Sequence, residues 1–233
     1  MHDARSFLNR PIFVTGRPRS GTSLSAGLLA ALGVWTGRTI PGGPANPKGF
    51  FENMTIRETI LKPILSHDGY DPLGVRKLPP ESFAPVVRSS RAENFATMLG
   101  RIIADQGYVA DRPWLYKDAK LALVWRTFDR SFPQATWIIV RRDTDSFVSS
   151  CLRTSFMTQH SEDPTFWYTY AEDMDQRLTA LAANVSCCFE LSADRIVNSD
   201  FAELEPICRH VGLEYKVELL ADFVEPGFWN MPQ

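Results

Sequence analysis

The sequence lacks the features typical of zinc-binding, disulfide-rich, membrane-spanning and nucleic-acid-binding proteins. Its only cysteines, Cys151, Cys187, Cys188 and Cys208, show no CxxC spacing, so neither a zinc site nor a disulfide framework is indicated. No apolar run reaches the ~20 residues of a membrane span, and the opening residues have no apolar signal-peptide core. The net charge of −2 excludes broad electrostatic binding to nucleic acid. We therefore expect a cytoplasmic protein with no membrane span and no nucleic-acid partner.

What the chain does contain is enough apolar material for an ordinary globular core. Hydrophobic residues make up 44% and charged residues 22% of the sequence, so no metal or disulfide is needed to support the fold. The length of 233 residues favours a single domain over residues 1–233 rather than two small ones. Nothing in the sequence indicates an oligomeric state.

The most informative stretch is PIFVTGRPRSGTSLS, which begins at Pro11. It predicts a buried strand over residues 12–14, a tight loop and then a helix. Such a loop points backbone N–H groups inward, and the helix dipole adds partial positive charge, so the stretch predicts a phosphate or sulfate site. The loop residues are Gly16, Arg17, Pro18, Arg19, Ser20, Gly21, Thr22 and Ser23.

The loop differs from a nucleoside-triphosphate loop at one position. The spacing G-x4-G is the same, but Thr22 stands where a triphosphate-binding loop has the lysine that reaches the β and γ phosphates. The positive charges come earlier, at Arg17 and Arg19. The pattern therefore favours a phosphate or sulfate ester as the ligand.

The rest of the chain alternates strands with helices, which predicts a three-layer α/β/α fold with a central parallel sheet. In such folds ligands bind at the carboxyl ends of the strands. Further strands are expected at 34–40, 114–116, 135–140 and 187–191, and helices at 24–32, 53–66, 90–105, 120–132, 143–156, 162–184, 201–211 and 217–223. The turn-rich segment 68–82 is expected to cover the surface or the site.

A second motif follows the apolar strand ATWIIV. Arg141 leaves that strand at its carboxyl end, and Ser149 lies two turns along the next helix. An arginine and a hydroxyl so placed can hold one phosphate from two sides. Asp145 could orient the arginine or cap the helix, and Arg142 is interpreted as a surface charge. Taken alone, the motif fits a structural salt bridge equally well.

Together, the two motifs resemble the sulfotransferases that use 3'-phosphoadenosine 5'-phosphosulfate (PAPS). GRPRSGTS is similar to that family's 5'-phosphosulfate loop, with Arg19 at the usual lysine position. Arg141 and Ser149 match the arginine and serine, eight residues apart, that bind the 3'-phosphate in that family. KDAKLALVWRTFDRSFPQATWIIV from Lys117 and GFFEN from Gly49 are also similar to bacterial and Golgi-type members. The resemblance implies a P-loop-like sulfotransferase fold and a PAPS donor.

The implied reaction moves a sulfuryl group from PAPS to a hydroxyl-bearing acceptor, with a carbohydrate or small molecule favoured and no metal required. Arg19 would stabilise the leaving phosphate electrostatically, and Lys117 is a possible second cation. Glu52 is the first candidate base, because a carboxylate beside two phenylalanines is expected to have a raised pKa, and a glutamate at the matching position is the base in some related families. His67 is the second candidate base and His160 a weaker one.

Two alternative functions remain open from the sequence. A P-loop kinase or nucleotide hydrolase would need a lysine after Gly21 and an acidic magnesium ligand at a strand end, for which Asp118 is the available residue. A nucleotide-binding module without catalytic activity would satisfy both anion motifs.

Overall fold

The computed structural model describes residues 8–43, 46–71, 74–76 and 89–224. Their centre is a four-stranded sheet in the order β2-β1-β3-β4, and every neighbouring pair of strands is parallel. The strands are β1 (Ile12–Gly16), β2 (Leu115–Lys117), β3 (Thr136–Arg141) and β4 (Cys188–Ser192). The predicted parallel sheet is therefore confirmed.

The register of the sheet brings the carboxyl ends of the strands together. Val14 pairs with Lys117 on one side of β1, and Gly16 pairs with Val140 on the other. A β-carbon on Gly16 would lie 2.5 Å from the Val140 carbonyl oxygen, so this close approach of β1 and β3 requires glycine. The loops that leave these strands consequently start from one edge of the sheet.

Helices connect the strands and continue to the end of the described chain. Those before β2 are α1 (Thr22–Ala31), α2 (Met54–Ile56), α3 (Lys62–His67) and α4 (Ser89–Asp105). Those after it are α5 (Leu121–Ser131), α6 (Thr144–Leu152), α7 (Ser155–Thr158), α8 (Pro164–Asn184), α9 (Ala193–Val197), α10 (Leu204–Val211) and α11 (Val217–Phe223). Within the described ranges, no helix combines the length and the apolar character needed to cross a membrane.

The core is divided into two hydrophobic clusters by the sheet. Side chains alternate between the two faces of each strand, so Trp137 and Ile139 belong to one cluster while Ile138 and Val140 belong to the other. We call the cluster that includes residues of α3, α5, α6 and α8 the first cluster, and the one that includes residues of α1, α9 and α10 the second cluster. Helices therefore cover both faces, as predicted for a three-layer fold.

The structure differs from the sequence prediction in several local features. Residues 34–40 form no strand among the described residues, but Trp35 and Thr39 each make one isolated bridge. The helix capped by Asn53 is interrupted by a π-helical turn at Arg57–Leu61, and helix α9 was not predicted. Of the segment 68–82 that was expected to cover the site, residues 72–73 and 77–82 lie outside the described residues.

Candidate functional site

The loop between β1 and α1 has the conformation expected of an anion-binding loop. Gly21 has φ of 88°, and Arg19 has φ of 63°, which is uncommon for a residue with a side chain. Because α1 starts at Thr22, the N–H groups of its first turn have no partner within the helix, and the helix dipole is positive there. Pro18, Arg19, Gly21, Thr22 and Ser23 all line one cavity. This end of α1 can therefore accept a phosphate or sulfate.

The side chain of Ser20 makes its contacts within the protein. Its hydroxyl donates to the carbonyl oxygen of Arg17 and lies 3.3 Å from that of Val140, and the side chain is fully buried. The Ser20 hydroxyl is thus engaged in bonds that hold the loop against β3.

Arg17, predicted to bind the cofactor, points to the other face of the sheet. It is 2% exposed, donates to the carbonyl oxygen of Arg142 and to Thr144 Oγ1, and lies 3.6 Å from Asp175 and over the ring of Phe147. Burial is the main cause that lowers its pKa. Arg17 therefore joins the β1 loop to the end of β3 rather than facing the cavity.

Two cations flank the loop from the neighbouring strands. By the strand alternation, Lys117 at the end of β2 and Arg142 just after β3 both point to the face covered by α1. Both side chains are buried, and both line the cavity. The strand order β2-β1-β3 thus places a positive charge on either side of the loop.

Arg142 forms a cluster with Arg19 and Ser150. Arg142 Nη1 donates to the carbonyl oxygen of Arg19 at 2.8 Å, and Arg19 Nε donates to Ser150 Oγ at 3.3 Å. Burial, with Arg19 and Arg153 as nearby like charges, lowers the pKa of Arg142 to about 10, and burial also lowers the pKa of Arg19. Both arginines stay charged at neutral pH, so an anion bound between them would relieve their repulsion.

The two residues predicted to hold the 3'-phosphate, Arg141 and Ser149, do not face the loop. Arg141 pairs with Asp175 at 3.3 Å and with Glu190 at 2.9 Å, on the face of the first cluster, and Ser149 is exposed. The structure instead brings Arg142 and Ser150 to the loop, each one residue later in the chain. Arg142 had been interpreted as a surface charge, and that interpretation is wrong. Strand alternation predicts that the two arginines point to opposite faces of the sheet, but only the fold shows that the face of Arg142 is the one covered by α1.

Lys117 links the anion loop to Glu52. Its Nζ lies 3.1 Å from Ser23 Oγ, 3.1 Å from the carbonyl oxygen of Phe50 and 3.0 Å from Glu52 Oε1. The other carboxylate oxygen of Glu52 lies 3.5 Å from Arg57 Nε. Buried cation and carboxylate therefore meet directly beside the start of α1.

The expected rise in the pKa of Glu52 is wrong. Burial does raise it, but Lys117, Lys120 and Arg57 together outweigh burial and hold the pKa of Glu52 below its usual range. The two phenylalanines supply a desolvated setting, but the nearby cations determine the charge. Glu52 is consequently ionised at neutral pH and is a weaker base than the sequence suggested.

The three remaining acidic or basic candidates are placed differently. Asp118 is fully buried, and its carboxylate pairs with Lys120 Nζ at 2.8 Å. His67 is exposed at the surface, with Nδ1 2.9 Å from Asp68. His160, the weaker of the two predicted histidines, lines the cavity and is half-buried. In the part of the chain that is described, no three His, Cys, Asp or Glu side chains form a group that could hold a metal ion.

The cavity in front of the loop has a volume of about 520 Å³, within the range of about 300–1,000 Å³ that small-molecule sites occupy. Next to the loop, its charged side chains are Lys117, Glu52 and Arg142. Further polar side chains also line it: Asn46, Lys48, Arg57, Lys120, Gln159, His160 and Tyr170. The remaining walls come from both hydrophobic clusters: Val75, Leu123, Met157 and Met174 from the first, and Leu24, Phe51, Phe223 and Val224 from the second.

Solved structures resemble this fold at low sequence identity. The sulfotransferase domain from the Synechococcus PCC 7002 olefin synthase superposes with a TM-score of 0.56 at 18% identity, over 94% of this chain and 82% of that one. The sulfotransferase STF9 from Mycobacterium avium gives 0.53 at 15% identity, over 93% and 67%. The sulfotransferase domain from the curacin biosynthetic pathway gives 0.52 at 16% identity, over 90% and 76%. At these identities the likeness shows the fold.

The sequence comparison extends beyond the fold. No curated protein sequence matches the chain. A family model described as the sulfotransferase family, however, matches residues 11–217. The match covers most of the chain, with the β1 loop, the β2 end and the β3 end inside it, and the protein therefore belongs to the sulfotransferase family.

Proposed function

We propose that the protein transfers a sulfuryl group from PAPS to the hydroxyl of an acceptor. The observation that carries this proposal is the convergence of Arg19, Lys117, Arg142 and Ser150 on the start of α1. A ligand with two anionic groups, a 5'-phosphosulfate and a 3'-phosphate, would give each of these side chains an anion to bind. The family supports the transfer of a sulfuryl group, and the arrangement of cations supports PAPS as its donor.

In this proposal each end of the donor has its own set of residues. The N–H groups at the start of α1, with Thr22 and Ser23, hold the 5'-phosphosulfate, and Arg19 reaches along it. Arg142 and Ser150 hold the 3'-phosphate, in place of Arg141 and Ser149. The spacing of eight residues between arginine and serine is the same in both pairs, so the resemblance to the family is kept one residue later in the chain.

The proposed chemistry is an in-line displacement at sulfur. The acceptor oxygen forms a bond to sulfur, the bond from sulfur to the bridging phosphate oxygen breaks, and adenosine 3',5'-bisphosphate leaves. Arg19 and the loop N–H groups stabilise the charge on the leaving phosphate, and Lys117 neutralises the sulfuryl oxygens. Sulfuryl transfer resembles phosphoryl transfer, whose loose transition state demands little activation of the nucleophile. The ionised carboxylate of Glu52 can therefore take the proton although its pKa is low.

The kinase alternative is less well supported by the site. Thr22 occupies the position of the lysine that a triphosphate needs, and β3 is followed by a buried arginine rather than by an acidic residue. The carboxylate of Asp118 is bound to Lys120 and lies 3.4 Å from the hydroxyl of Tyr116. A magnesium ion would have to displace these contacts before Asp118 could serve as its ligand.

A thermal-shift titration tests the donor class. A ligand at about 100 times its Kd adds roughly 2.7 kcal/mol, or about 5–10 °C for a chain of this size. We expect this shift with adenosine 3',5'-bisphosphate and a much smaller one with adenosine 5'-monophosphate, because only the first carries a 3'-phosphate. Stabilisation by ATP with magnesium and not by the bisphosphate would overturn the proposal in favour of a kinase.

A further inference from the structure

The cavity continues past the proposed donor site along an apolar wall. The side chains that would bind the donor, Lys117 and Arg142, face the second cluster, together with the start of α1. The opposite wall consists of Val75, Leu123, Met157 and Met174, which are buried members of the first cluster. A nucleotide bound at the proposed donor site would therefore leave this apolar wall free to contact the acceptor.

The polar groups along this wall are already used by the protein. The hydroxyl of Tyr170 donates to the carbonyl oxygen of Gly74 at 2.8 Å, inside the protein. The ammonium group of Lys120 is paired with the buried carboxylate of Asp118 at 2.8 Å. A ligand on this wall therefore meets mainly carbon and sulfur atoms.

Two polar side chains that directly follow α7 also line the cavity, namely the exposed Gln159 and the half-buried His160. A sugar ring brings several hydroxyl groups, and each one that is buried without a hydrogen-bond partner costs free energy. Asn46, Lys48 and Arg57 also line the cavity, but each already has a partner in the protein. Asn46 donates to the carbonyl oxygen of Gly49, Lys48 donates to that of Phe223, and Arg57 Nε lies 3.5 Å from Glu52. Gln159 and His160 alone cannot satisfy such a ring, whereas they can orient a single hydroxyl.

Resting on the proposed function, we propose that the acceptor is an alcohol with an apolar body rather than a carbohydrate. The body packs on the wall of Val75, Leu123, Met157 and Met174, while the hydroxyl points to Glu52 and Lys117. The alcohol oxygen bonds to sulfur, the bisphosphate leaves, and the proton goes to Glu52. Because methionine side chains are unbranched and adaptable, the wall accepts apolar bodies of different shape.

A homologous series of alcohols tests this inference. With PAPS as donor, kcat/KM is measured for butan-1-ol, pentan-1-ol and hexan-1-ol, and for glucose and N-acetylglucosamine. Each added methylene group that reaches the wall raises kcat/KM about fourfold. The sugars are turned over more slowly than any of the alcohols. A flat series, or faster turnover of a sugar, would overturn the inference.

A pair of exposed aromatic residues provides the matched variants. Phe156 is 43% exposed and lines the cavity, whereas Tyr168 is 45% exposed and is not among its lining residues. Phe156→Ala is expected to raise KM for hexan-1-ol about threefold to tenfold, with the Kd of adenosine 3',5'-bisphosphate unchanged. Tyr168→Ala changes neither quantity. If both variants behave alike, Phe156 does not contact the acceptor and the inference fails.

Binding of the bisphosphate, measured calorimetrically on the same samples, separates the two proposals. If it does not bind, the proposed function itself fails. If it binds normally but no alcohol is sulfonated, the acceptor class is wrong while the donor proposal stands.

Discussion

The sharpest prediction concerns two adjacent arginines, Arg141 and Arg142, that the sequence alone could not rank. Arg142 is 6% exposed, lines the cavity and donates to the Arg19 carbonyl at 2.8 Å, whereas Arg141 pairs with two partly exposed carboxylates on the opposite face. A hydrogen bond to a charged group contributes about 1.5–3 kcal/mol. Arg142→Gln should therefore weaken the Kd of adenosine 3',5'-bisphosphate about 10-fold to 150-fold.

The neighbouring substitution is the control. The ion pairs of Arg141 are of the surface type, worth about 0–1 kcal/mol to folding, and they do not face the loop. Arg141→Gln should leave the Kd of the bisphosphate within about twofold of the wild-type value, a difference that corresponds to less than about 0.5 kcal/mol. Isothermal titration calorimetry on both variants, with circular dichroism to confirm folding, gives the comparison directly.

The two serines provide a milder second pair. Ser150 is buried and accepts from Arg19, while Ser149 is exposed. Loss of one hydrogen bond predicts about a threefold to tenfold weaker Kd for Ser150→Ala and no change for Ser149→Ala. The reverse order in both pairs, with Arg141 and Ser149 as the sensitive residues, would refute the placement of the 3'-phosphate at Arg142.

Three further predictions concern the residues around the loop. Glu52→Gln leaves Lys117 buried without its carboxylate, so the free energy of unfolding at pH 7 should fall by about 3 kcal/mol. The melting temperature should then be about 6–12 °C lower. Because the folded pKa of Glu52 is depressed, this difference is present above about pH 4.5 and shrinks as pH falls through the folded pKa. A difference that grew on acidification would contradict the pairing. His160→Asn should lower kcat/KM for the acceptor about threefold to tenfold while His67→Asn leaves it unchanged, and steady-state assays of both test which histidine faces the cavity. Arg17→Met removes buried hydrogen bonds and should reduce stability in urea denaturation by about 2–3 kcal/mol, with Arg17→Lys closer to wild type; loss of nucleotide affinity without loss of stability would show instead that Arg17 contacts the donor.

The sheet and most of its helices could be predicted because hydrophobic patterns report them directly. The apolar run before Arg141 has the pattern typical of a strand buried on both faces, and Asn53 caps the helix that it was expected to cap. The π-helical turn at Arg57–Leu61 has no such signature, since its hydrogen bonds shift by one residue within an otherwise ordinary helical pattern.

The sequence was sufficient to predict the residue types at the site, but not which of two neighbouring arginines and serines face it. The motif pairs Arg-Arg with Ser-Ser, so an eight-residue spacing fits Arg141 with Ser149 and Arg142 with Ser150 equally well. Only the direction of each side chain from the sheet distinguishes the two. The pKa of Glu52 was missed for a related reason. Its phenylalanine neighbours adjoin it in the sequence, whereas Lys117, which lies 65 residues away, reaches it only in the folded chain.

The most direct test of the central claim is the fate of the sulfuryl group itself. PAPS labelled with ³⁵S in that group is incubated with the protein and hexan-1-ol, and the products are separated and counted. We expect label in an alkyl sulfate, one adenosine 3',5'-bisphosphate released per labelled product, and loss of transfer in Arg19→Met. A protein that binds the bisphosphate but moves no label to this alcohol or to any other hydroxyl would contradict the account and identify a binding module instead.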